Sequence, residues 1–133
     1  MSFRPATYDD APLLLGWRHA DEHANWYEGH NTDVAAHVHW LTLRLQSPLV
    51  KLLIWAENGC DIGMVRIDSN GELAFHCDND DACVRMIQAT HAYAGDYGGR
   101  LKASVDTGNE RAWQMLAQAG YSEHPTRFLC FKP

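Results

Sequence analysis

Two groups of side chains in this chain have the residue types that hold metals. His19, Glu22 and His23 spell H-x-x-E-H, and histidines at i and i+4 can share one face of a helix. A catalytic zinc site also needs a third protein ligand and a core helix to carry it, whereas this segment lies where a predicted helix gives way to loop. His76, Cys77, Asp78, Asp80 and Cys83 form the second group. Their spacing fits no common zinc loop, and the glycine an EF-hand needs at its sixth position is missing. His37 and His39, two apart on a predicted helix, point in different directions. No metal is expected at any of these positions.

The elements that must position such residues can be read in order. Ser2 to Ala6 is a short strand with Pro5 near its end. Thr7-x-x-Asp10 is a capping box that starts a helix near Tyr8, with Leu13, Leu14 and Trp17 as its buried face. Asp21 to Asn31 has loop composition and carries two large aromatics, Trp26 and Tyr27. Thr32 or Asp33 caps a second helix, in which Val34, Val38, Leu41 and Leu45 make one apolar stripe; Ser47-Pro48 stops it. Val50 to Glu57 and Cys60 to Asp68 flank Asn58-Gly59, the preferred two-residue hairpin turn, and Ser69-Asn70-Gly71 leads on to Glu72 to Cys77, giving an antiparallel meander. A third helix runs from Asp80 or Asp81 to Tyr97, with Cys83, Met86, Ile87, Thr90 and Ala94 on one face and Gly95, Gly98 and Gly99 weakening and ending it. Arg100 to Val105 is a strand. Asn109 then caps a helix whose Ala112, Met115, Leu116 and Ala119 recur at helical spacing, Gly120 ends it, and Arg127 to Phe131 is the last strand.

The pattern Asn109-x-x-Ala112-x-x-Met115-Leu116-x-x-x-Gly120-Tyr121 resembles the capped helix ending in Gly-aromatic of the GNAT superfamily, the acyl-CoA-dependent N-acyltransferases. Phe3-Arg4-Pro5-Ala6-Thr7, with Asp9-Asp10 and Leu13-Leu14-Leu15-x-Trp17-Arg18, is similar to the opening strand and first helix of the same superfamily. The two matches lie in the right order, and the element order between them is the GNAT order. The resemblance implies a single α/β (α+β) domain with a mixed, mostly antiparallel sheet flanked by helices. It also implies transfer of an acyl group from acetyl-CoA or another acyl-CoA to an amine, on a small molecule or a peptide. A general base must take the proton of the ammonium acceptor, and Glu72 and His76 on the fourth strand occupy the superfamily's usual region for it. The resemblance further puts Cys77 and Asn109 on the cofactor side, with acyl-CoA entering the splay between the strands of His76 and Ser104, and Trp26 and Tyr27 beside the acceptor. The segments Trp17-Arg18 and His39-Trp40-Leu41 look most like bacterial members that acylate amino-sugars or protein N-termini.

The sequence departs from that superfamily in two places. The Arg-or-Gln-x-x-Gly-x-Gly loop, whose backbone N–H groups meet the pyrophosphate, is replaced by Cys77-Asp78-Asn79-Asp80-Asp81-Ala82-Cys83. Three aspartates stand where the pyrophosphate would sit, and like charges about 4 Å apart repel by ~1 kcal/mol even in a water-like dielectric. Aspartates also suit a helix N-terminus with no anion bound, so these are expected to cap the third helix. Binding of acetyl-CoA is therefore expected to be weak or absent. Arg85, one turn along the helix, and Arg100 and Lys102, expected near the same end of the fold, are the cations available to compensate. The second departure is Leu116, where many superfamily members have a tyrosine that protonates the leaving thiolate.

Composition limits the alternatives. A chain of 133 residues, 46% hydrophobic and 21% charged, is long enough for one core and too short for two ordinary domains. The formal net charge of -6 argues against nucleic acid as a partner. No apolar run is long enough to span a bilayer, and the first residues lack a signal-peptide pattern, so no membrane partner and a cytoplasmic location are expected. Cys60, Cys77, Cys83 and Cys130 lack a C-x-x-C pair and are expected to be buried free thiols. Two functions remain: a small N-acyltransferase, or a GNAT-like module that has lost acyl-CoA binding and acts through its Trp26-Tyr27 loop or as a homodimer.

Overall fold

The computed structural model describes residues 1–20, 34–47, 49–105, 108–123 and 128–131. Trp26 and Tyr27 lie outside the described residues, as do Glu22 and His23 of the H-x-x-E-H segment. Strand β1 (Ser2–Pro5) leads through a 3-10 turn (Tyr8–Asp10) into α1 (Ala11–Ala20), and α2 (Val34–Gln46) follows. Helix one thus begins as a 3-10 turn and becomes α-helical only at Ala11, so that Pro12 falls in the first α-turn, where its missing N–H costs nothing. Its lead-in is held by Asp10, whose carboxylate accepts the Thr7 N–H at 2.8 Å. On α2 the apolar stripe is narrower than its spacing suggests. Leu41 is fully buried and Leu45 packs beside it, but Val38 is exposed.

Strands β2 (Lys51–Glu57), β3 (Cys60–Ile67) and β4 (Leu73–Cys77) form the meander, and β1 pairs antiparallel with β2 to give a sheet in the order β1-β2-β3-β4. Asn58 and Gly59 turn the first hairpin with φ of 53° and 77°, the left-handed geometry that this dipeptide tolerates. A register irregularity between Trp55 and Ala56 inserts Ile62 opposite them. Helix α3 (Asp80–Ala89) is shorter than the spacing of its apolar residues suggests and passes into a 3-10 helix (Thr90–Tyr97). The change coincides with Thr90, whose buried hydroxyl bonds back to the Ile87 carbonyl and competes with the α-helical pattern. Strand β5 (Leu101–Ser104), helix α4 (Glu110–Gln118), a two-residue β6 (Ser122–Glu123) and β7 (Phe128–Phe131) complete the chain, and β5, β7 and β6 form a second antiparallel sheet in that order.

Alternation along the strands divides the core into two layers. Trp55, Val65, Ile67, Leu73 and Cys77 face α3, α4 and β5 and pack with Met86, Ile87, Leu101 and Leu116. Leu52 and Ile54 face the other way, against Leu14 and Trp17 of α1 and Leu41 of α2. Gly63 on β3 lets α3 approach the sheet. A Cβ there would stand 2.9 Å from the His76 carbonyl oxygen and from Met86 Sδ.

Candidate active site

The two sheets meet at one point. Glu72 and Lys102 form a single parallel bridge, supported by the Lys102 N–H donating to the Gly71 carbonyl at 3.0 Å. Beyond it, among the described residues, β4 and β5 do not pair, so the strands part toward Cys77 and Ser104. The parallel direction also fixes where the cations are. Lys102 and its neighbour Arg100 lie at the Glu72 end, and Cys77 is five residues farther along β4, roughly 16 Å at about 3.3 Å per residue. Arg100 and Lys102 are therefore at the opposite end of the sheet from the N-terminus of α3, which corrects the expectation that they share it.

His76 points to the α1 side of β4, its ring stacked on that of Trp17 with centroids 5.5 Å apart and an interplanar angle of 29°. Its Nε2 lies 3.2 Å from Asp78 Oδ1. Residues 76 and 78 project on one side of an extended chain, which is why the next acid along the strand direction can reach the imidazole. Glu72, the other candidate base, sits at the closed end beside Lys102. It is four residues from His76, roughly 13 Å along the strand, so the two do not form one site.

The first turn of α3 is capped from within the chain. Asn79, not an aspartate, is the cap: its Oδ1 accepts the Ala82 N–H at 3.0 Å. This corrects the capping role expected of Asp78, Asp80 and Asp81. Asp80 Oδ1 accepts from Arg111 of α4, with Nε at 2.7 Å, so the N-termini of α3 and α4 are tied by an ion pair. Arg85 forks onto Glu57, Nε to Oε2 at 3.0 Å and Nη2 to Oε1 at 2.8 Å, while the Trp55 indole N–H donates to Oε2 at 2.9 Å. The Arg85 bonds, with that of Trp55, hold the Glu57 carboxyl below its ordinary range despite desolvation.

Cys77 and Cys83 are buried free thiols, as expected, but Cys60 is exposed. The Cys83 S–H and the Asn79 backbone N–H both donate to the Cys77 sulfur and bring that thiol down to about 7, against the opposing effect of burial. Donating to Cys77, together with burial, pushes Cys83 far up. Asn109 caps α4, its Oδ1 accepting the Ala112 N–H at 3.2 Å. Leu116 is fully buried in the core. Asp78 is expected from sequence near the pyrophosphate position but not as the partner of His76, and Trp17 and Arg111 are not expected as site neighbours. For Asp78 the i, i+2 spacing from His76 is a usable signal; Trp17 and Arg111 come from distant elements.

This sheet, split between β4 and β5 and flanked by α1 and α2 on one face and α3 and α4 on the other, is the GNAT fold. No family model matches the chain, and no curated protein sequence matches it. Solved structures do. The aminoglycoside acetyltransferase AAC(6')-Ib in complex with coenzyme A superposes with a TM-score of 0.79 at 15% identity, covering 98% of this chain and 94% of that one. A mutant spermidine N-acetyltransferase SpeG from Vibrio cholerae gives 0.76 at 10% identity, over 99% of this chain and 95% of that one. An uncharacterized protein from Bacillus halodurans gives 0.75 at 16% identity, over 98% and 83%. At these identities the likeness is one of fold. Among the described residues no helix is long and apolar enough to cross a membrane.

Proposed function

We propose that this chain is an N-acyltransferase that moves an acyl group from an acyl thioester to an amine, with His76 as the base. The observation that carries the reading is the parting of β4 from β5 beyond Glu72–Lys102, with His76 and Asp78 at the open end. A bound acyl-CoA would supply the acyl group as a thioester already activated toward attack. The gap between the strands, lined by backbone groups that no neighbouring strand takes up among the described residues, suits the amide-bearing arm of that cofactor. The N-terminus of α3 does not suit its pyrophosphate, because Asn79 takes up one N–H and Asp80 and Asp81 add negative charge. Cofactor affinity then rests on the arm, and Cys77 and Asn109 border it from β4 and α4. Arg85 contributes from α3 only if it leaves Glu57.

The remaining chemistry belongs to the chain. With Nε2–H donated to Asp78, the neutral imidazole of His76 carries its lone pair on Nδ1, which is the atom that takes the amine proton. The imidazolium so formed lies against the Asp78 carboxylate and the π face of Trp17. Leu116 supplies no proton to the departing thiolate, which leaves that task to solvent. The acceptor we infer is a cationic amine, of the amino-sugar or polyamine type. The acidic balance of the chain, with Asp78 at the site, supports this, and so do the aminoglycoside and spermidine enzymes that share the fold.

The test is thiol release from acetyl-CoA and from S-acetylpantetheine with an aminoglycoside and with spermidine as acceptors. Both donors should support transfer at similar concentrations, and His76→Ala should lower kcat by on the order of 10²-fold or more. Unchanged turnover in His76→Ala would remove His76 from the mechanism. No transfer from either donor at millimolar concentration would overturn the enzyme reading in favour of a binding module.

A further inference from the structure

An imidazole base works only if its lone pair is aimed, so what holds the His76 ring matters as much as the identity of the residue. Among the described residues two side chains lie against that ring, and they differ in how firmly they are held themselves. Asp78 meets its edge, with Oδ1 3.2 Å from Nε2, but the Asp78 side chain is 54% exposed and water screens the contact. Trp17 meets its face, with centroids 5.5 Å apart and an interplanar angle of 29°. Trp17 itself is only 8% exposed and packs in the layer of Leu14, Leu41, Leu52 and Ile54, between α1, α2 and the sheet. With about 3.5–4.0 Å between touching carbons, a centroid distance of 5.5 Å puts the imidazole over the edge of the indole, the offset arrangement that aromatic pairs prefer.

We infer that Trp17 is the positioning residue for His76: it fixes the plane of the imidazole, and Asp78 fixes the tautomer within that plane. The inference rests on the reading of His76 as the base. The χ2 torsion of a histidine is broad, so the ring turns about its Cβ–Cγ bond unless a neighbour blocks it. A carboxylate standing in water can follow a turning ring, whereas an indole locked in a close-packed core cannot. Turning about that bond swings Nδ1, the atom left to take the amine proton, out of line with the acceptor. Trp17 comes from α1 and His76 from β4, so the packing of that helix on the sheet sets the aim.

Variants separate the two contacts by what each removes. In Asp78→Ala the stack stays, while the preference for a proton on Nε2 is lost. In Trp17→Leu an apolar side chain is kept without a flat face, so the ring is free to turn; kcat should fall by roughly 10-fold or more while KM for the acceptor is unchanged. Trp17→Phe keeps a flat face and should keep most of kcat. If Trp17 only filled the core, the Leu and Phe variants would behave alike.

The experiment is nuclear magnetic resonance of the full chain in mildly alkaline buffer, where the imidazole is neutral, beside steady-state kinetics with S-acetylpantetheine and spermidine. The His76 signals are identified by their loss in His76→Ala. Nuclear Overhauser contacts between the indole protons of Trp17 and the ring protons of His76 are expected in the unsubstituted chain and in Asp78→Ala. Ring nitrogen shifts should report a protonated Nε2 in the unsubstituted chain and in Trp17→Leu, but no such preference in Asp78→Ala. Contacts missing from the unsubstituted chain, or lost in Asp78→Ala, would overturn the inference, and so would a kcat in Trp17→Leu equal to that of the unsubstituted chain. The first two spectra decide the placement even if Trp17→Leu does not fold. Absence of acyl transfer by the unsubstituted chain would remove the reaction, and this role with it, while the contacts in the spectrum persist, so the two failures are told apart.

Discussion

If the acidic start of α3 is what weakens the hold on a pyrophosphate, Asp80→Asn combined with Asp81→Asn should strengthen it. Placing each carboxylate about 6 Å from a phosphate gives a repulsion of about 1 kcal/mol at an effective dielectric between those of water and a protein surface. Asp80 is partly neutralised already, since Arg111 donates to it from α4. Removing Asp80 therefore relieves less repulsion, but it releases the guanidinium to bond the anion instead. A charge-assisted bond contributes about 1.5–3 kcal/mol, and the lower end applies because both side chains are more than half exposed. The sum is about 2–3 kcal/mol, or roughly 30- to 150-fold in Kd. The opposite sign is expected for stability. Acids in the first turn complement the helix dipole by about 0.3–1 kcal/mol each, so the free double variant should unfold at lower urea. Calorimetry with acetyl-CoA at low salt, beside urea titrations, reads both. The gain in affinity should shrink as salt is raised. A double variant that binds acetyl-CoA no more tightly than the unsubstituted chain would refute the placement of the pyrophosphate at this helix.

Three further outcomes follow from the geometry. Arg4 donates to both oxygens of buried Asp10, at 2.9 and 2.8 Å, and holds that carboxyl below its ordinary range; the associated stability is present above the unfolded carboxylate pKa and is lost as pH falls through the folded one. Arg4→Ala should therefore cost about 2 kcal/mol at pH 7 in urea titrations, after allowance for a partly exposed guanidinium, and progressively less in acid. Gly63→Ala should cost about 1–3 kcal/mol in the same assay, because its methyl meets a backbone carbonyl as well as two sulfurs. Asn109→Ala should cost about 1 kcal/mol through the lost cap of α4, and a smaller change would mean that water replaces the side chain fully.

What could be read from the sequence was local. The hairpin of β2 and β3 was legible because Asn58-Gly59 dictates a turn and the flanking residues alternate, and α4 because Asn109 and Gly120 mark both its ends. The length of α3 was misread because apolar spacing does not distinguish an α-helix from a 3-10 helix once Thr90 competes for the backbone. The site itself depends on contacts between distant parts of the chain. Arg4 reaches Asp61, Arg85 reaches Glu57 and Arg111 reaches Asp80, and no periodicity encodes such pairs. The stack of Trp17 on His76 is of the same kind: one residue was legible as a helix face and the other as a strand position, but not their meeting.

The residues that carry the resemblance to the GNAT superfamily are mostly structural in this chain. Arg4, Thr7 and Asp10 clamp β1 to the start of α1, Asn109 caps α4, and Gly120 takes a φ of 104° at its end. Such groups specify a fold whatever the fold is used for, so they are a sound guide to architecture and a poor one to affinity. The start of α3, where the proposed function finds no good seat for a pyrophosphate, has partners of its own. Asn79 accepts the Ala82 N–H, the Cys77 sulfur accepts the Asn79 N–H, and Arg111 holds Asp80. An incoming anion gains less at the Ala82 N–H, because a bond to it replaces the one that Asn79 already accepts. In the proposed function the parted strands are where a thioester arm enters. Under the proposed function, the acidic turn beside them offers little to the rest of acyl-CoA.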